Sequence, residues 1–268
     1  MGERKAIFIT GGGSGIGRAV AQRFAREGWL VGLADVNEAG LAETAALLPD
    51  GASWTRRLDV RDRDAWDAAL AEFTQTSGGR LDVLFNNAGV AHGGPLAENP
   101  RDEIDQLIDI NFRGVAYGAQ AAYPYLKATP GACLLNTASA AAIYGTAGFA
   151  IYSATKFAVR ALTEALDVEW DADGIRVRDL MPGFIDTPLL HGPAGRDSNV
   201  SKRERVVEAG FQWVPMEEVV ESAWAAVHAD KKLHHPVGKL ARQAMFAARW
   251  MPGRIRKQGR GVFGAGKS

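Results

Sequence analysis

Tyr152 and Lys156 are the residues of this 268-residue chain whose types and spacing most directly suggest chemistry. They lie four positions apart in a predicted helix, so their side chains share one face. A lysine ammonium beside a phenol favours the phenolate, which lowers the tyrosine pKa from about 10 toward working pH. Such a tyrosine can take a proton from an alcohol or give one to a ketone. Ser139, at the end of the preceding predicted strand, is placed to hydrogen-bond the same oxygen.

The same spacing occurs a second time, at Tyr123 and Lys127. Pro124 follows the tyrosine, and the pair precedes the fifth predicted strand. The pair therefore lies late in its helix. This places it at the edge of the sheet opposite the carboxyl ends of the strands. We interpret this second pair as structural.

A glycine-rich turn near the start of the chain predicts a phosphate-binding site. Ala6-Ile-Phe-Ile-Thr-Gly-Gly-Gly-Ser-Gly-Ile-Gly17 is a short apolar run that ends in glycines, and an amphipathic stretch over 18–27 follows. Strand, turn and helix in this order place backbone N–H groups at a helix N-terminus, where a pyrophosphate is stabilised. The expected contacts come from Gly11, Ser14, Gly15, Ile16 and Gly17.

An acidic residue follows this turn at the distance expected for a dinucleotide site. The second predicted strand, 29–35, ends in Asp35, whose carboxylate can accept hydrogen bonds from both adenosine ribose hydroxyls and would repel a 2′-phosphate. No Lys or Arg lies within 10–17 or 36–37 to attract that phosphate. The pattern predicts NAD over NADP. In an alternative that can coexist with this role, Asp35 or Asn37 caps the helix that runs to Leu48.

Alternating predicted elements indicate how these residues are positioned. Strands are predicted over 5–10, 29–35, 53–59, 81–86, 132–138 and 175–181, and helices over 15–27, 38–48, 62–77, 101–127, 151–171 and 216–229. Strands separated by helices imply right-handed crossovers and an α/β fold with a doubly wound parallel sheet. In such a sheet, ligands bind beyond the carboxyl ends of the strands.

Polar or flexible residues follow every predicted strand. Asp59-Val60 after the third strand offers a carboxylate and an apolar face to an adenine ring. Asn86-Asn-Ala-Gly89 follows the fourth strand, and Pro182-Gly-Phe-Ile-Asp-Thr-Pro188 follows the sixth. Because these ends meet at one edge of a parallel sheet, we expect a single ligand site there.

Composition and charge exclude several other classes of protein. The formal net charge is zero, which argues against a general nucleic-acid binder. Cys133 is the single cysteine, so no internal disulfide forms and a reducing cytoplasm suits the chain; in its apolar strand it is core filler and not a nucleophile. No signal peptide is expected at the start. The uncharged stretch 128–155 contains polar residues and glycines, which favours a buried strand and loop over a membrane span.

Together these motifs resemble the short-chain dehydrogenase/reductase family, in its compact form of about 250 residues. The motifs that carry the resemblance are Thr10-Gly-Gly-Gly-Ser-Gly-Ile-Gly17, Asn86-Asn-Ala-Gly89, Asp109-Ile-Asn-Phe-Arg-Gly114, Ser139, Tyr152-Ser-Ala-Thr-Lys156, Pro182-Gly183 and Thr187. They span the chain from Lys5 to about Thr187. The resemblance implies a single-domain Rossmann fold and a nicotinamide cofactor.

The resemblance also implies roles for individual residues. Asn111, Ser139, Tyr152 and Lys156 form a catalytic tetrad, in which Asn111 holds a water in a proton relay from Lys156; in the alternative, Asn111 only satisfies local backbone. The implied cofactor contacts are Asp59, Val60, Asn87, Ala88, Gly89, Tyr152, Lys156, Pro182, Gly183, Ile185 and Thr187, whose hydroxyl binds the nicotinamide amide. The implied substrate contacts are Ala91, His92, Ala141, Ile143, Tyr144, Phe149, Phe184, Leu189 and Leu190.

The C-terminal part departs from the family pattern. Many members end in a strand followed by Val-Asp-Gly-Gly, whereas here 233–238 is predicted as a short last strand and 239–252 as a helix, with Leu240, Ala244, Ala247 and Met251 on one side. We divide the chain into a Rossmann domain over 1–238, with a substrate lid over 184–213, and a basic helix and tail over 239–268. The departure puts the family's common tetramer in doubt, and a homodimer or a homotetramer is expected.

Ten Lys/Arg and no Asp or Glu lie in 231–268, with a frayed basic tail expected from residue 254. Three roles are open for this segment: a solvated basic face, a contact with the lid or a second subunit, or a contact with an anionic membrane surface. Five large apolar side chains favour docking over solvation; these are Leu240, Met245, Phe246, Trp250 and Met251. His234-His235 suggests no metal site, because adjacent strand residues point to opposite faces.

The sequence thus predicts an NAD(H)-dependent oxidoreductase that interconverts a secondary alcohol and its ketone by hydride transfer. The implied substrate contacts are mostly apolar, with no Lys or Arg placed to bind a carboxylate or phosphate. A hydrophobic or aromatic small-molecule alcohol or ketone is therefore the expected substrate. The alternative is a non-catalytic NAD(H) sensor or scaffold of the same fold, against which the intact tetrad argues.

Overall fold

A parallel β-sheet organises the protein in the computed structural model, which describes residues 4–192, 200–208, 210–228 and 231–257. Within these ranges seven strands pair in the order β3-β2-β1-β4-β5-β6-β7, every pair parallel. The strand order reverses between β1 and β4, which is where such sheets bind ligands. The strands are β1 Ala6–Thr10, β2 Leu30–Asp35, β3 Ser53–Arg57, β4 Val83–Asn86, β5 Cys133–Thr137, β6 Arg176–Pro182 and β7 His234–Val237.

Helices connect consecutive strands, as the sequence predicts. The described helices are α1 Gly15–Arg26, α2 Glu38–Ala46, α3 Arg63–Thr76, α4 Arg101–Ile108, α5 Gly114–Ala128, α6 Ala150–Glu169, α7 Lys202–Glu208, α8 Met216–His228 and α9 Lys239–Trp250. The single helix predicted over 101–127 is interrupted, because a π-helical turn, Asp109–Arg113, separates α4 from α5. The predicted α/β fold with a doubly wound sheet is confirmed.

Both faces of the sheet are buried. Ile7 and Ile9 of β1 join a core cluster that includes Phe24 of α1 and Val219 of α8. Phe8, between them, joins the opposite cluster with residues of α3 and α5. Because helices cover both faces, β1 and β2 are buried along nearly their whole length, which explains their short continuous apolar runs in the sequence.

The predicted last strand is present as β7, which pairs in parallel with β6. Its two histidines point in different directions: His234 Nδ1 lies 2.9 Å from Asp179 Oδ2, and His235 Nε2 lies 3.1 Å from the Lys232 carbonyl oxygen. No group of His, Cys, Asp or Glu in the described ranges is arranged to hold a metal ion.

Helix α9 packs with a different face from the predicted one. Ala241 is fully buried, and Ala244, Met245 and Ala248 pack beside it against Ala142 and the loop that follows β5. Leu240 and Met251, expected on the apolar side, stay over a third exposed, and Phe246 and Trp250 are 62% and 65% exposed. The packed face shares Ala244 with the predicted side and is otherwise centred on Ala241, which follows Gly238 (φ 91°) by three residues.

The tail also differs from expectation up to the last described residue. Residues 252–257 form a further helical turn, whereas a frayed tail was predicted from residue 254; residues 258–268 lie outside the described part. Within the described ranges, no helix has the length and apolarity required to span a bilayer.

Deleting the chain after Gly238 should destabilise the protein. The deletion uncovers the cluster under Ala241 and Met245, so we expect the free energy of unfolding to fall by about 2–5 kcal/mol. Chemical denaturation measures it. The matched control is the double variant Phe246→Ser and Trp250→Ser, which changes only exposed side chains of the same helix and should stay within about 0.5 kcal/mol of the parent. Equal stability of the truncated and full chains would show that α9 does not dock.

The remaining docking expectation concerns the exposed apolar side chains of α9, chiefly Phe246 and Trp250. In the single chain they face outward, so any burial requires the lid, a second subunit or a bilayer. Light scattering of the same double variant, with liposome flotation of the parent, distinguishes these partners.

Candidate active site

Ser139, Tyr152 and Lys156 meet at the carboxyl edge of the sheet. Ser139 follows β5, and its Oγ accepts a hydrogen bond from the Ala141 N–H at 3.1 Å, which fixes the serine at the start of a short 3₁₀ turn. Its hydroxyl is hydrogen-bonded to that of Tyr152. Lys156, one turn along α6, is buried and donates from Nζ to the Thr137 carbonyl oxygen at 2.8 Å. The predicted grouping of these three side chains is present.

The pKa of Tyr152 differs from the sequence-based expectation. Burial raises it, and the Ser139 hydrogen bond only partly offsets that increase. Burial also lowers the pKa of Lys156 to about 8. The Lys156 ammonium lies 5.8 Å from the centre of the Tyr152 ring and is hydrogen-bonded to a carbonyl, so in this state the removal of both groups from water outweighs their mutual effect.

Asn111 lies in the π-helical turn and is fully buried. Its side chain forms two hydrogen bonds of 2.8 Å with Val90, accepting from the N–H and donating to the carbonyl. The amide therefore holds the loop after β4, which is 21 residues away in the sequence and is not the local backbone that the alternative named. The water relay that the resemblance implies stays a prediction, and it would use backbone atoms of the turn, since the side chain is occupied. π-helical turns often occur at functional sites.

The glycine turn after β1 has the backbone that phosphate binding requires. Gly11 and Gly15 have φ values of 67° and 51°, which side chains disfavour. A Cβ on Gly17 would collide with the Gly11 carbonyl oxygen, so the third glycine is needed for close packing. Ser14 precedes the first turn of α1, and Ile16 packs against the core. The first N–H groups of α1 therefore face the edge where the strands end.

Asp35 is held at the end of β2 by backbone groups. Its Oδ2 accepts from the Gly13 N–H and its Oδ1 from the Asn37 N–H, each at 3.0 Å. Asn37 caps α2, so the capping role weighed from the sequence falls to Asn37, and the ribose contact of Asp35 stays a prediction. Two nearby arginines were missed: Arg18 donates to the Gly13 carbonyl and pairs with Glu43, and Arg57 is the strand partner of Asp35 on β3.

The motif after β4 links three strands. Thr10 Oγ1 accepts from the N–H groups of Asn87 and Ala88 at 3.1 Å, and the Asn87 amide donates to the Thr10 carbonyl at 3.0 Å. Thr137 of β5 donates to Asn87 Oδ1. These bonds fix the loop that leads to Gly89. The first asparagine of the motif, Asn86, instead bonds Asn136 of β5 inside the sheet.

Gly89 packs against Asn111 and Lys156 without a side chain of its own. A Cβ at this position would lie 3.1 Å from Asn111 Oδ1 and 3.7 Å from Lys156 Nζ. The glycine therefore lets the loop backbone lie close to both residues. Together with the glycine turn, this cradle fits a nicotinamide dinucleotide, in which Lys156 and Tyr152 would hold the nicotinamide ribose.

Asp59 and Val60, the predicted cofactor contacts after β3, both already contact other residues of the chain. Asp59 is bound through both oxygens by Arg61, which lowers the pKa of that carboxyl. Val60 is buried against Gly114. The carboxylate that was expected to meet an adenine ring therefore already has a partner within the chain.

The segment after β6 covers the glycine turn. The Thr187 methyl group would lie 3.3 Å from a Cβ on Gly15, so Thr187 lies against the turn. The implied contact of its hydroxyl with the nicotinamide amide stays a prediction. Gly183 donates to the Val237 carbonyl, and Ile185 is buried in the core. Pro182 is the last residue of β6.

The nine predicted substrate contacts fall into two groups. Ala91, Ala141 and Ile143 are buried, and Ile143 packs in the cluster beneath α9. The others retain some exposure; these are His92, Tyr144, Phe149, Phe184, Leu189 and Leu190. Phe149 packs edge-on against Tyr152 with ring centres 6.2 Å apart, and Phe184 packs against Phe211. The lid segment over 184–213, of which 184–192, 200–208 and 210–213 are described, carries the last three of these contacts.

Three polar residues near these contacts were missed from the sequence. Glu103 and Gln106 of α4 lie beside His92, and Lys202 of the lid segment is buried close to Leu189. No motif marks them, because they meet only through the folding of separate segments. Lys202 therefore lies near an implied substrate contact, and the expectation that no Lys or Arg is placed to bind a carboxylate or phosphate stays a prediction.

The second Tyr-x-x-x-Lys pair is structural, as predicted. Tyr123 donates to Asp173 at 2.6 Å, Lys127 forms a 2.8 Å ion pair with the same carboxylate, and Tyr123 packs on Trp170. These partners precede β6, at the opposite edge of the sheet. Cys133 is fully buried, and burial raises the pKa of its thiol to about 11, which makes it unsuited to act as a nucleophile.

Comparison with known proteins gives consistent matches. The family model described as short chain dehydrogenase matches residues 5–194. The chain is 36% identical over 190 residues to meso-2,3-butanediol dehydrogenase of Serratia marcescens, covering 71% of this chain and 75% of that protein. It is 36% identical over 187 residues to 2,5-dichloro-2,5-cyclohexadiene-1,4-diol dehydrogenase of Sphingobium indicum, covering 69% and 74%. The crystal structure of levodione reductase superposes with a TM-score of 0.79 at 29% identity, covering 90% of this chain and 97% of that one.

Proposed function

The chain belongs to the short-chain dehydrogenase family, and from that premise we propose that it is an NAD(H)-dependent oxidoreductase that interconverts a hydrophobic secondary alcohol and its ketone. The observation that carries the proposal is the grouping of Ser139, Tyr152 and Lys156 beside the Gly89 cradle. A fold kept only for binding would not need these three side chains together at the ligand-binding edge.

Each residue has a definite part in the proposed reaction. A bound nicotinamide nucleotide supplies or accepts the hydride. Tyr152 takes the hydroxyl proton of the alcohol during oxidation, or gives a proton to the carbonyl oxygen during reduction. Ser139 donates to the same substrate oxygen and holds it in place. Lys156, fixed by Thr137, presents a positive charge near the phenol and returns the proton toward the loop held by Asn111.

NAD is the proposed cofactor because Asp35 presents a carboxylate at the end of β2. A negative charge there disfavours the 2′-phosphate of NADP. Of the two arginines near it, Arg18 is paired with Glu43, and Arg57 lies beside Asp35 on the neighbouring strand with an exposed side chain.

The proposed substrate class rests on the partly exposed aromatic and aliphatic side chains around Tyr152, such as Phe149 and Leu190. Two relatives are named for diols, which are secondary alcohols with a second hydroxyl group. We further propose a homodimer or homotetramer, with a cytoplasmic location suited to the single buried thiol of Cys133.

A turnover screen tests the proposed function. NAD⁺ with aliphatic, aromatic and steroid alcohols, and NADH with the matching ketones, should give measurable turnover for at least one pair. Tight NADH binding without turnover anywhere would contradict the proposal and favour a non-catalytic sensor of the same fold.

The pH dependence of the two directions should be opposite. Because burial raises the pKa of Tyr152, its phenolate forms only as the pH rises, so kcat/KM for alcohol oxidation should increase through the alkaline range. Ketone reduction needs the protonated phenol and should decrease over the same range. Ser139→Ala removes a hydrogen bond that lowers this pKa, and should move the oxidation profile up by about 0.5–1 pH unit. If the pH dependence of kcat/KM for oxidation were the same in Ser139→Ala as in the parent, Tyr152 would not be the group that sets it.

A further inference from the structure

A polar cluster borders the substrate side of the site and has no part in the proposed reaction. It consists of His92, Glu103, Gln106 and Lys202. His92 Nε2 lies 2.7 Å from Gln106 Oε1, and His92 Nδ1 lies 3.8 Å from Glu103 Oε2. Lys202 is 8% exposed and donates from Nζ to the Leu189 carbonyl at 3.3 Å. We call these four residues the polar cluster.

The polar cluster joins the two segments that flank the reaction centre. His92 lies two residues after Val90, whose backbone is held by Asn111, and three after Gly89. On the other side, Leu189 lies two residues after Thr187, which covers the glycine turn. A substrate that approaches Tyr152 between these segments would meet the polar cluster.

The chemistry of the polar cluster suits a neutral oxygen. The buried Lys202 ammonium has three donors, and one is used by Leu189. With His92 Nε2 donating to Gln106, Nδ1 of the neutral ring is an acceptor, and 3.8 Å is too long for a direct bond to Glu103. A hydroxyl can accept from Lys202 and donate to the histidine or the carboxylate.

Charge excludes an anionic substrate group at the same position. Burial lowers the pKa of Lys202, and the charge of the Glu103 carboxylate partly offsets that lowering. Glu103 would also repel a second carboxylate. The substrate group that suits the polar cluster is therefore an uncharged one that can both donate and accept a hydrogen bond.

We propose that the polar cluster binds a second oxygen of the substrate, so that diols and hydroxyketones are preferred over simple alcohols and ketones. This inference rests on the proposed function, since it concerns the same site. The competing explanation is that Lys202 only fastens the lid segment to α4. A fastening role would affect all substrates alike, whereas binding of a second oxygen affects only those that carry one.

The test compares cyclohexanol with the positional isomers of cyclohexanediol as substrates, with NAD⁺. We expect at least one diol to exceed cyclohexanol in kcat/KM by about 10- to 100-fold, as expected for a hydrogen bond to a charged group. In Lys202→Met and in His92→Phe, the ratio of diol to cyclohexanol kcat/KM should fall by a similar factor. Lys231→Met is the matched control, because this exposed lysine precedes β7 at the opposite edge of the sheet.

The outcomes separate the inference from the proposed function. Turnover of cyclohexanol with no diol preference overturns the inference and leaves the proposed function standing. An equal loss for diol and cyclohexanol in Lys202→Met also overturns it and indicates a fastening role. Absence of all turnover contradicts the proposed function itself. If Lys202→Met does not fold, the diol to cyclohexanol ratio of kcat/KM in the wild type and in His92→Phe still tests the inference.

Discussion

Tyr152→Phe should reduce kcat by about 10²–10⁴-fold, the range that a positioned general acid or base contributes. The substitution removes only the hydroxyl that is hydrogen-bonded to Ser139 and leaves the ring packed on Phe149. The dissociation constant for NADH should stay within about threefold, because the phenol acts on the substrate oxygen. Steady-state kinetics with the best alcohol from the screen, together with fluorescence titration of NADH, measures both quantities.

Tyr123→Phe provides an internal control for this result. It removes a tyrosine hydroxyl with the same spacing to a lysine, but that hydroxyl bonds Asp173 at the opposite edge of the sheet. Its kcat should match that of the parent. Retention of a tenth or more of kcat in Tyr152→Phe would show that this residue is not the acid/base group.

Replacement of Asp35 should change cofactor preference most strongly. The parent should clearly favour NAD over NADP in kcat/KM. In Asp35→Ala, loss of a charged hydrogen-bond acceptor should weaken NAD binding by about 1.5–3 kcal/mol, and loss of its negative charge should improve the use of NADP. Parallel measurement of kcat/KM for both cofactors tests this, and a parent enzyme that uses the two equally would refute the NAD assignment.

Asp35 also accepts hydrogen bonds from the Gly13 and Asn37 backbone, so a change in the turn itself must be distinguished from a change in charge. Asp35→Asn supplies that control, because its amide oxygen can still accept one of these bonds while the charge is gone. If charge sets the preference, Asp35→Asn should use NADP nearly as well as Asp35→Ala does. If the geometry of the turn dominates, Asp35→Asn should behave like the parent.

The sequence determined those features that depend on local geometry. The glycine turn needs a positive φ at Gly11 and Gly15, so only certain residue types satisfy it, and these are visible in the sequence. Four-residue spacing on α6 places Tyr152 and Lys156 on one face in any helix. The apolar strands were recognisable because helices cover both faces of a parallel sheet.

Only the tertiary structure decided how these local features interact. Burial of the site raises the pKa of Tyr152, although the neighbouring lysine alone would lower it, because desolvation depends on every segment that packs around the phenol. The face of α9 that is buried, centred on Ala241, is fixed by packing against Ala142 and Ile143 from a distant segment, which helical periodicity does not contain.

The polar cluster illustrates the same limit at the substrate side. His92, Glu103 and Lys202 belong to a loop, a helix and the lid segment, and no spacing along the chain relates them. Folding places the Glu103 carboxylate 3.8 Å from the His92 imidazole and buries the Lys202 ammonium against Leu189. Local motifs therefore predicted the reaction class. The shape and charge of the substrate side depend on side chains from several distant segments, so only the tertiary structure reveals them.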